Sequence, residues 1–508
     1  MHPSRIFFYS CSAFGVGICV SAIFRIPESM TLGMLGIATA SLAVAVLTKV
    51  RIKYLVPALG IIAFALGIIR LGDVEQRWEH ERNEFLLAAQ NLSRVFPREA
   101  PSGITATVAS RERLENSTRY ELERISLEDR SRTRWLLTYT GYEIFDPGDR
   151  ILLQRPHFDT STTSEAFLKR DGIAGAVRFP EKIVPLGSSC PTFLANASCA
   201  RYRASEQLSH LKESFEKNLR LALPVPHAAL AAGLLLGTRS ALSQEMKDDF
   251  RRTGMSHIVA VSGYNITILI LAIATLMGFF MLPRSLTFWA VTLFIILFTL
   301  LTGAGASVVR AALMGFLLIL AQKESRMYSA RIALSSAGAL MLFQNPMLLR
   351  YDLGFVLSFL ATAGLLVLYP LLEERARENK KLSGIKDVAL QSVSAQLFVL
   401  PVIIITFGSI SFVFLISNVA VLPFIPPTMF FSFLAGIAGF FGEHIGNIVA
   451  FPAYILLDYE IIIVATFSKI PHASLALASA SLRYAAGLAS TIGAALLVWK
   501  LKKLRETF

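Results

Sequence analysis

The chain has 508 residues, of which 54% are hydrophobic and 17% are charged, and its 49 Lys and Arg exceed its 36 Asp and Glu by a formal net charge of +13. Soluble domains carry about 25% charged residues, so this composition excludes an ordinary soluble enzyme, and it is too apolar for a disordered chain. The positive excess has two interpretations: a nucleic-acid-binding surface, or basic loops that a multi-pass membrane protein keeps in the cytoplasm.

Three apolar runs occupy the first 71 residues: Ile6–Phe24, Thr31–Leu47 and Tyr54–Ile69. A transmembrane helix needs about 20 mostly apolar residues, and each run approaches that length. Basic residues precede the first run and separate the second from the third, which predicts a cytoplasmic N-terminus and an exit to the outside after residue 71. Further spans follow the first run and it lacks a clear cleavage site, which favours a retained helix over a signal peptide.

The composition changes between residues 72 and 225, where 22 Lys and Arg balance 22 Asp and Glu. Short alternating runs predict five strands at Ile104–Val108, Tyr120–Ser126, Trp135–Thr138, Arg150–Leu153 and Ala174–Phe179. Asp146-Pro-Gly-Asp149 is typical of a turn, and residues 75–97 and 201–221 are predicted as flanking amphipathic helices. We expect a small extracytoplasmic sandwich or barrel, for which an OB-like barrel is one candidate.

Membrane-type sequence returns after residue 226. The candidate spans are Ile258–Met281, Leu286–Leu301, Val308–Gln322, Ile332–Phe343, Leu353–Leu371, Val388–Thr406, Phe412–Phe431, Ile445–Ile463 and Ala485–Trp499. Alternating crossings place the basic loops on one face, which the positive-inside rule makes cytoplasmic. The apolar run His227–Leu236 has only ten residues and is predicted to be interfacial or re-entrant.

The predicted fold class is therefore a polytopic α-helical membrane protein of about 12 spans, with an inserted small extracellular β-barrel domain. Prolines and glycines predict that some spans are broken or re-entrant. The predicted domains are an N-terminal three-helix segment (1–71), the extracytoplasmic domain (72–225), a transmembrane domain (226–500) and a basic cytoplasmic tail (501–508). Both termini are expected in the cytoplasm.

Two of the four cysteines, Cys190 and Cys199, fall in the exterior domain. An oxidising exterior favours a disulfide between them; the alternative is two free thiols. Cys11 and Cys19 lie in the first span and are expected to be packing residues.

The most informative segment is Gly237-Thr-Arg-Ser-Ala-Leu-Ser243, followed by Phe250-Arg-Arg-Thr-Gly-Met-Ser-His-Ile-Val-Ala-Val-Ser-Gly-Tyr-Asn265. It predicts a polar, basic helix over Gln244–Arg252 that ends at Thr253-Gly254, and a span that begins at His257. Ser262, Gly263 and Asn265 then lie within an apolar helix, where polar residues usually face the bundle interior or a water-filled path. The alternative is a patch of small residues that lets helices pack closely.

Further polar residues interrupt other spans: Arg310, Asp352, Gln396, Asn418, Asp458 and Glu460. A buried charge should find a partner, so Arg310 is predicted to pair with Asp352, although an arginine near a helix start also snorkels to the interface. The sequence has no phosphate-binding loop and no HExxH, and its eight histidines are scattered. No catalytic residues, metal site or cofactor are predicted.

These segments resemble the signature of the ComEC family, the competence channels of bacterial transformation. The resemblance continues in Gly305-Ala-Ser-Val-Val-Arg-Ala311, in Asn345-Pro346 with Tyr351-Asp-Leu-Gly-Phe-Val-Leu-Ser-Phe-Leu-Ala-Thr-Ala-Gly364, in Ala395-Gln-Leu-Phe-Val-Leu-Pro401, in Phe407-Gly408 and in Asn418–Pro423. It covers residues 227–440 in the family's order. Residues 99–190 are more weakly similar to the OB-type extracellular domain of that family, with Asp171-Gly-Ile-Ala-Gly175 as the best local match.

Two features depart from the family pattern. Thr238 stands where the family often has an acidic residue, so any role of that carboxylate is expected to be absent. Many members end in a metallo-β-lactamase-like domain that is proposed to degrade the non-transported strand, and this sequence stops at Phe508 without its metal-ligand histidines. The resemblance then implies the pore and the OB domain without the nuclease.

The resemblance implies an inner-membrane channel that passes single-stranded DNA into the cytoplasm, surrounded by membrane lipids. An external DNA receptor, a separate nuclease and a cytoplasmic ATP-driven translocase are the expected partners. Pore candidates are His257, Ser262, Gly263, Asn265, Arg310, Asp352, Gln396 and Asn418, and candidates in the signature segment are Gly237, Arg239, Arg251, Arg252 and Gly254.

An OB-type barrel binds single strands through stacked aromatics and arginines. The exterior DNA-contact candidates are Arg111, Arg113, Arg119, Arg130, Arg132, Arg134 and Trp135. The alternative is that these arginines pair with the neighbouring Glu115, Glu121, Glu123, Glu128 and Asp129.

Two other functions remain open. The chain could be a secondary transporter or exporter of a small or lipidic solute, with Asp352, Asp458 and Glu460 as ion sites. It could also be a membrane enzyme with His257 and Ser262 as base and nucleophile, although their five-residue spacing does not place them on one helix face.

The net charge favours the membrane interpretation. Because the exterior domain is neutral, the other 27 basic and 14 acidic residues supply the whole +13, mostly in the predicted cytoplasmic loops. Any DNA contact outside must therefore come from local patches.

Overall fold

The computed structural model describes residues 3–24, 30–31, 34–35, 39, 55–95, 103–113, 117–125, 132–140, 144–154, 157–159, 165–178, 180, 182–188, 197–238, 242–259, 263–376, 383–477 and 479–506. The chain divides into two compact units, one of residues 1–213 and 338–353, the other of residues 214–337 and 354–508. The predicted span Thr31–Leu47 falls largely outside the described residues. Cys190 also lies outside them, so its disulfide with Cys199 stays a prediction.

Four helices precede residue 226 in the described chain: α1 (Pro3–Ile23), α2 (Leu55–Val95), α3 (Glu165–Asp171) and α4 (Ala197–Ala222). The sequence predicted a span and a separate amphipathic helix where α2 is one continuous helix of 41 residues. At 1.5 Å per residue, α2 is about 60 Å long. It continues because no proline follows Pro57 until Pro97 and because Gly72 alone does not break a helix.

Two glycines allow α1 and α2 to cross closely. A Cβ added to Gly17 would lie 2.1 Å from the carbonyl oxygen of Phe64, and one added to Gly67 would lie 2.4 Å from that of Phe14. Small residues at such crossings let helix backbones approach in a membrane.

Seven strands form one sheet in the first unit. They are β1 (Gly103–Arg113), β2 (Thr118–Ile125), β3 (Arg132–Tyr139), β4 (Asp149–Gln154), β5 (His157–Asp159), β6 (Gly175–Arg178) and β7 (Lys182–Ser188). The order is β5-β6-β3-β2-β1-β4-β7, with β3 and β6 parallel and the other pairs antiparallel. The five predicted strands are confirmed. The sequence missed β5, which has three residues, and β7, whose Pro185 and Gly187 are unfavourable in strands.

The sheet is curled into a half-barrel. Only two residues separate β4 from β5, yet β4 pairs with β1 and β5 pairs with β6 near the other end of the order. Three Cα–Cα steps span at most about 11 Å, so this connection draws the two ends of the sheet together.

The core of the curled sheet consists of the inward-facing residues of its strands. The fully buried side chains include Val108, Tyr120, Leu122, Trp135, Leu137, Ile151 and Leu153. Helix α2 covers this core: the ring centroids of Phe85 and Trp135 lie 5.2 Å apart, and Trp78 Nε1 donates to the carbonyl oxygen of Ile173 at 3.1 Å. The C-terminal half of α2 is thus a structural element of the β domain.

The remaining elements are mostly helices. In chain order they are α5 (His227–Leu236), α6 (Gln244–Arg252), α7 (Ser256–Val259), α8 (Gly263–Phe279), α9 (Arg284–Leu301), α10 (Ala306–Lys323), α11 (Ala330–Gln344), α12 (Leu348–Tyr351), α13 (Leu353–Val367), α14 (Tyr369–Ala376), α15 (Ser383–Phe407), β8 (Ser409–Ser411), α16 (Phe414–Val421), α17 (Ile425–Ala438), a 3-10 helix (Gly439–Phe441), α18 (Glu443–Ser468), β9 (Ser474–Ala476) and α19 (Ala480–Glu506). The predicted elements His227–Leu236 and Gln244–Arg252 match α5 and α6.

Among the described residues, eight helices are long and apolar enough to cross a membrane: Arg5–Ala22, Val56–Leu87, Arg284–Leu301, Ala306–Lys323, Leu353–Arg375, Gly384–Phe407, Glu443–Ser468 and Ala480–Lys503. A ninth span results if α16 and the segment Ile425–Phe441, which meet at a bend of 51°, are counted as one broken crossing. The predicted spans Ile258–Met281 and Ile332–Phe343 correspond to α8 and α11, which have only 17 and 15 residues.

Candidate functional site

Capping interactions mark the ends of the helices in the signature segment. Gly237 ends α5 in the left-handed conformation, with φ of 75°, and its N–H donates to the carbonyl oxygen of Gly233. Ser243 caps the N-terminus of α6 by accepting from the N–H of Met246 at 3.2 Å, and Thr253 Oγ1 donates to the carbonyl oxygen of Asp249 at 2.8 Å. These hydrogen bonds satisfy helix-end groups that would otherwise lack partners.

The turn after α6 is tightly packed. Gly254 has φ of 75°, and a Cβ there would lie 2.9 Å from Cβ of Phe414. His257 Nδ1 lies 3.2 Å from the carbonyl oxygen of Gly254, so this pore candidate is held in the turn. Arg251 and Arg252 are exposed on α6, whereas Arg239 and Ser262 lie outside the described residues.

A carboxylate does stand beside position 238, although the sequence has threonine there. Thr238 Oγ1 donates to Glu216 Oε1 at 2.6 Å, and Glu216 comes from the last two turns of α4. The sequence predicted that the family's acidic group would be absent. The structure brings one in from another helix, and no local motif could have indicated it.

Asn265 connects two helices of the bundle. Its side chain is 1% exposed, and Nδ2 donates at 2.9 Å to the carbonyl oxygen of Leu234 in the last turn of α5. The carbonyls of a helix's last turn have no partner within the helix. This polar residue therefore pins α8 to α5, which is the packing role that the sequence left open beside transport.

Three consecutive residues of α18 bond to three different helices. Asp458 Oδ1 lies 3.1 Å from His227 Nε2 of α5, Tyr459 Oη donates to the carbonyl oxygen of Ala420 in α16 at 3.1 Å, and Thr428 of α17 donates to Glu460 Oε1 at 2.6 Å. Successive helix residues point about 100° apart, so one turn reaches several neighbours. Glu460 is 1% exposed, and this turn is a polar centre of the second unit.

Asn418 and Gln396 occupy other positions in the same unit. Asn418 of α16 is buried, and its Oδ1 has no hydrogen-bond partner within the described part of the chain. Gln396 is half-buried in α15.

Arg310 is buried in α10 and its hydrogen-bond acceptor is Thr362 Oγ1 of α13. The predicted pair with Asp352 is not found among the ion pairs of the described residues; Asp352 ends the short helix α12 in the first unit, and its charge acts on Arg170 there. Sequence spacing alone could not show that Asp352 faces the β domain.

The motif from Asn345 to Asp352 is a docking site for α3. Asn345 Nδ2 donates to the carbonyl oxygen of Arg170 at 2.8 Å, while its Oδ1 accepts from the N–H of Met347 at 3.1 Å. The hydrogen bonds between Arg170 and Asp171, assisted by the charge of Asp352, raise the pKa of the Arg170 guanidinium. This family motif therefore holds the β domain within the first unit.

Replacing Asn345 with alanine is expected to loosen this docking site by about 1 kcal/mol, because the partly buried carbonyl of Arg170 loses its donor. The readout is amide hydrogen exchange at residues 171–174 in the full-length protein. Asn345→Asp is the matched comparison: it keeps the acceptor for Met347 but replaces the donor by a charged oxygen, so exchange should rise at least as much as in Asn345→Ala. Unchanged exchange in Asn345→Ala would contradict the assignment.

The DNA-contact candidates of the β domain whose side chains the structure describes all make contacts within the protein. Arg111 is paired with Asp146 and Glu213, with 6% of its side chain exposed, and Arg134 Nη1 bonds to Glu121 Oε1 at 3.1 Å. The predicted DNA contact of Trp135 is corrected by the structure: the indole is 1% exposed in the core and offers no face to a base. An aromatic that alternates inward with Leu137 belongs to the core face of its strand, and this signal was present in the sequence.

Three other arginines complete this set. Arg119 lies 3.4 Å from Glu112 and over the ring of Phe167. The structure does not describe the side chains of Arg113 and Arg132, and Arg130 lies outside the described residues. Arg134 thus pairs with Glu121, one of the carboxylates of the alternative, whereas Arg119 pairs with Glu112, which that alternative did not include.

A cluster of Asp146, Glu206 and His210 beside Arg111 has ligand atoms within 4.8 Å of one another. The guanidinium of Arg111 already binds Oδ1 of Asp146, the oxygen nearest His210. This arrangement is an ion-pair network that ties α4 to the turn before β4.

Comparison with known proteins identifies the second unit. The family described as Competence protein matches residues 234–502. The chain is 29% identical over 203 residues to ComE operon protein 3 of Bacillus subtilis (strain 168), which is 40% of this chain and 25% of that relative. The chain thus matches about a quarter of the relative's length, and no solved structure matches it. Because the family match covers more than half of the chain and includes the signature segment and the polar turn of α18, this multi-pass protein belongs to the ComEC family of competence proteins.

Proposed function

We propose that the chain is an inner-membrane channel through which single-stranded DNA enters the cytoplasm during natural transformation. The observation that carries this proposal is the family match over residues 234–502, which covers most of the second unit together with residues 338–353 of the first. The buried polar side chains of Arg310 and Asn418 support it, since a polyanion needs polar groups along its path through a bilayer.

The β domain is proposed to be an OB-type barrel that receives the strand outside. Support comes from the strand pairing: β1, β2 and β3 form a meander, β6 joins β3 in parallel, and the nearly continuous β4 and β5 run from β1 to β6. The OB fold is a five-stranded, partly open Greek-key barrel, with which this pairing is compatible. With Trp135 in the core and Arg111 paired, contact with a strand depends on the remaining arginines.

The proposed topology places both termini in the cytoplasm and residues 72–225 outside. The neutral charge of residues 72–225 and the basic loops elsewhere support this orientation. About 12 spans then include the segment Thr31–Leu47 and the shorter helices α8 and α11. An external DNA receptor and a cytoplasmic ATP-driven translocase are the proposed partners.

The test is DNA uptake in a strain that lacks the gene. We expect labelled duplex DNA to bind at the cell surface while nuclease-resistant internal DNA and transformants fall to background, because the strand has no path across the membrane. A plasmid copy should restore both. Transformation at wild-type frequency in the deletion strain would contradict the proposal.

The polar turn of α18 favours a second candidate, ion-coupled transport of a small solute. His227 and Asp458 form a pair of ionisable groups within helices of the bundle, and Glu460 is buried two residues further on. Such residues in membrane spans often relay protons or ions. Solute uptake that depends on Asp458, in cells whose transformation is normal without the gene, would favour this function.

A further inference from the structure

Arg310 lies where three helices of the second unit meet. It occupies the second turn of α10 and is 8% exposed. A Cβ built on Gly263 would lie 2.4 Å from Nη2 of Arg310, so the guanidinium rests against the first residue of α8. On the third helix, α13, the guanidinium donates to Thr362 Oγ1 and lies 5.9 Å from the ring centroid of Phe359.

The charge of Arg310 has no counter-ion within the described chain. None of the ion pairs between described residues includes it, and its Nε has no hydrogen-bond partner there. Thr362 is a neutral acceptor whose own hydroxyl donates to the carbonyl oxygen of Ser358 at 2.9 Å. A buried ion without a partner is strongly unfavourable, so this position is destabilised unless an anion visits it.

The N-terminal end of α10 adds positive charge close to Arg310. α10 begins at Ala306, one turn before Arg310, and has no acidic residue in its first turn. The N-terminus of a helix carries partial positive charge and unpaired N–H groups, which makes it a binding site for anions. Discontinuous helices in transporters direct such ends towards anionic groups of the substrate.

We propose that Arg310 and the N-terminal turn of α10 bind the phosphodiester groups of the DNA strand as it passes; this deepens, and rests on, the proposed channel function. The planar guanidinium can donate two parallel hydrogen bonds to two oxygens of one phosphate, whereas the ammonium group of a lysine cannot form this bidentate arrangement. Sδ of Met314, 3.9 Å from Nη1, and the ring of Phe359 cover the guanidinium. Phosphate contact therefore requires these helices to separate, so Arg310 lies at a closed point of the path.

The test compares Arg310→Gln and Arg310→Lys with wild type in the full-length protein. Arg483→Gln is the matched control, because Arg483 is an arginine of the same unit that already donates to the carbonyl oxygen of Leu477 at 2.8 Å. The first readout is nuclease-resistant internal DNA in cells at equal protein level. The second is binding of a single-stranded oligonucleotide to the protein in nanodiscs over a range of salt concentrations, beside an oligonucleotide with an uncharged methylphosphonate backbone.

Arg310→Gln is expected to reduce uptake and phosphodiester binding about tenfold, with Arg310→Lys intermediate. The slope of log affinity against log salt should fall by about 0.7, the share of one phosphate contact on a single strand. Binding of the uncharged backbone should be the same in wild type and Arg310→Gln. Arg483→Gln should resemble wild type in every readout.

Gly263→Ala gives an independent test, since its Cβ displaces the guanidinium and keeps the charge. If the Arg310→Gln protein does not accumulate in cells, Gly263→Ala tests the role of Arg310 instead. We expect Gly263→Ala to reduce DNA uptake several-fold. Wild-type uptake by either accumulated variant, in a strain whose deletion abolishes uptake, would overturn the role of Arg310 and leave the channel proposal standing. Normal uptake by the deletion strain would instead remove the channel proposal itself.

Discussion

Trp135→Ala is expected to lower the free energy of unfolding of the β domain by about 3–5 kcal/mol, the range for truncating a large aromatic in a core. The indole is 1% exposed and contacts Phe85 and Phe158, at ring-centroid distances of 5.2 and 6.0 Å. Because Phe85 belongs to α2, the cavity would also weaken the attachment of the sheet to that helix.

The measurement is hydrogen exchange or pulse proteolysis of residues 103–188 in the full-length protein in detergent. Trp135→Phe is the matched control and should lose much less stability, since a phenyl ring keeps most of the contact area. A Trp135→Ala domain of wild-type stability with weakened binding of single-stranded DNA would restore the stacking role and contradict the core assignment.

Gly364→Ala is expected to destabilise the helical bundle by about 1–3 kcal/mol or more, because an added methyl group cannot be accommodated. Its Cβ would lie 2.3 Å from the carbonyl oxygen of Ser394 in α15 and 3.1 Å from Cγ of Phe398. A backbone carbonyl cannot rotate away as a flexible side chain can, so α13 and α15 would have to separate.

Gly493→Ala in α19 is the matched control. Nothing lies within 4 Å of a Cβ at Gly493, so alanine should be neutral there or stabilise the helix by up to about 1 kcal/mol. In the same detergent, the melting temperature of purified Gly364→Ala should fall below that of wild type, whereas that of Gly493→Ala should be unchanged or higher. Equal melting temperatures for Gly364→Ala and wild type would contradict the close crossing of α13 and α15.

Local pattern predicted most elements and only part of the site. Alternation identified the five strands, and capping residues marked α6 because Ser243 and Thr253 act within one turn of it. The single helix α2 was mistaken for two because its sequence changes from an apolar run to a charged, amphipathic one, whereas its backbone stays helical throughout.

Partners from distant parts of the chain could not be predicted. Glu216 beside Thr238, Thr362 beside Arg310 and Asn345 beside Arg170 are each set by tertiary packing. Single-sequence reasoning identified Arg310 and Asp352 as unusual because both interrupt apolar sequence. It could not assign their neighbours, since helices that follow one another in sequence need not present those faces to each other.

Because α2 is unbroken, any change in its length would rotate the β domain relative to the apolar segment of that helix. Its 41 residues run from an apolar segment to Trp78 and Phe85, which are fixed against the sheet, so no hinge separates membrane from domain. Each residue inserted near Gly72 would raise the domain by about 1.5 Å and turn it by about 100°. Two added residues would therefore turn the β domain by about 200° while leaving its fold intact, and four added residues, close to one whole turn, would nearly restore its original orientation.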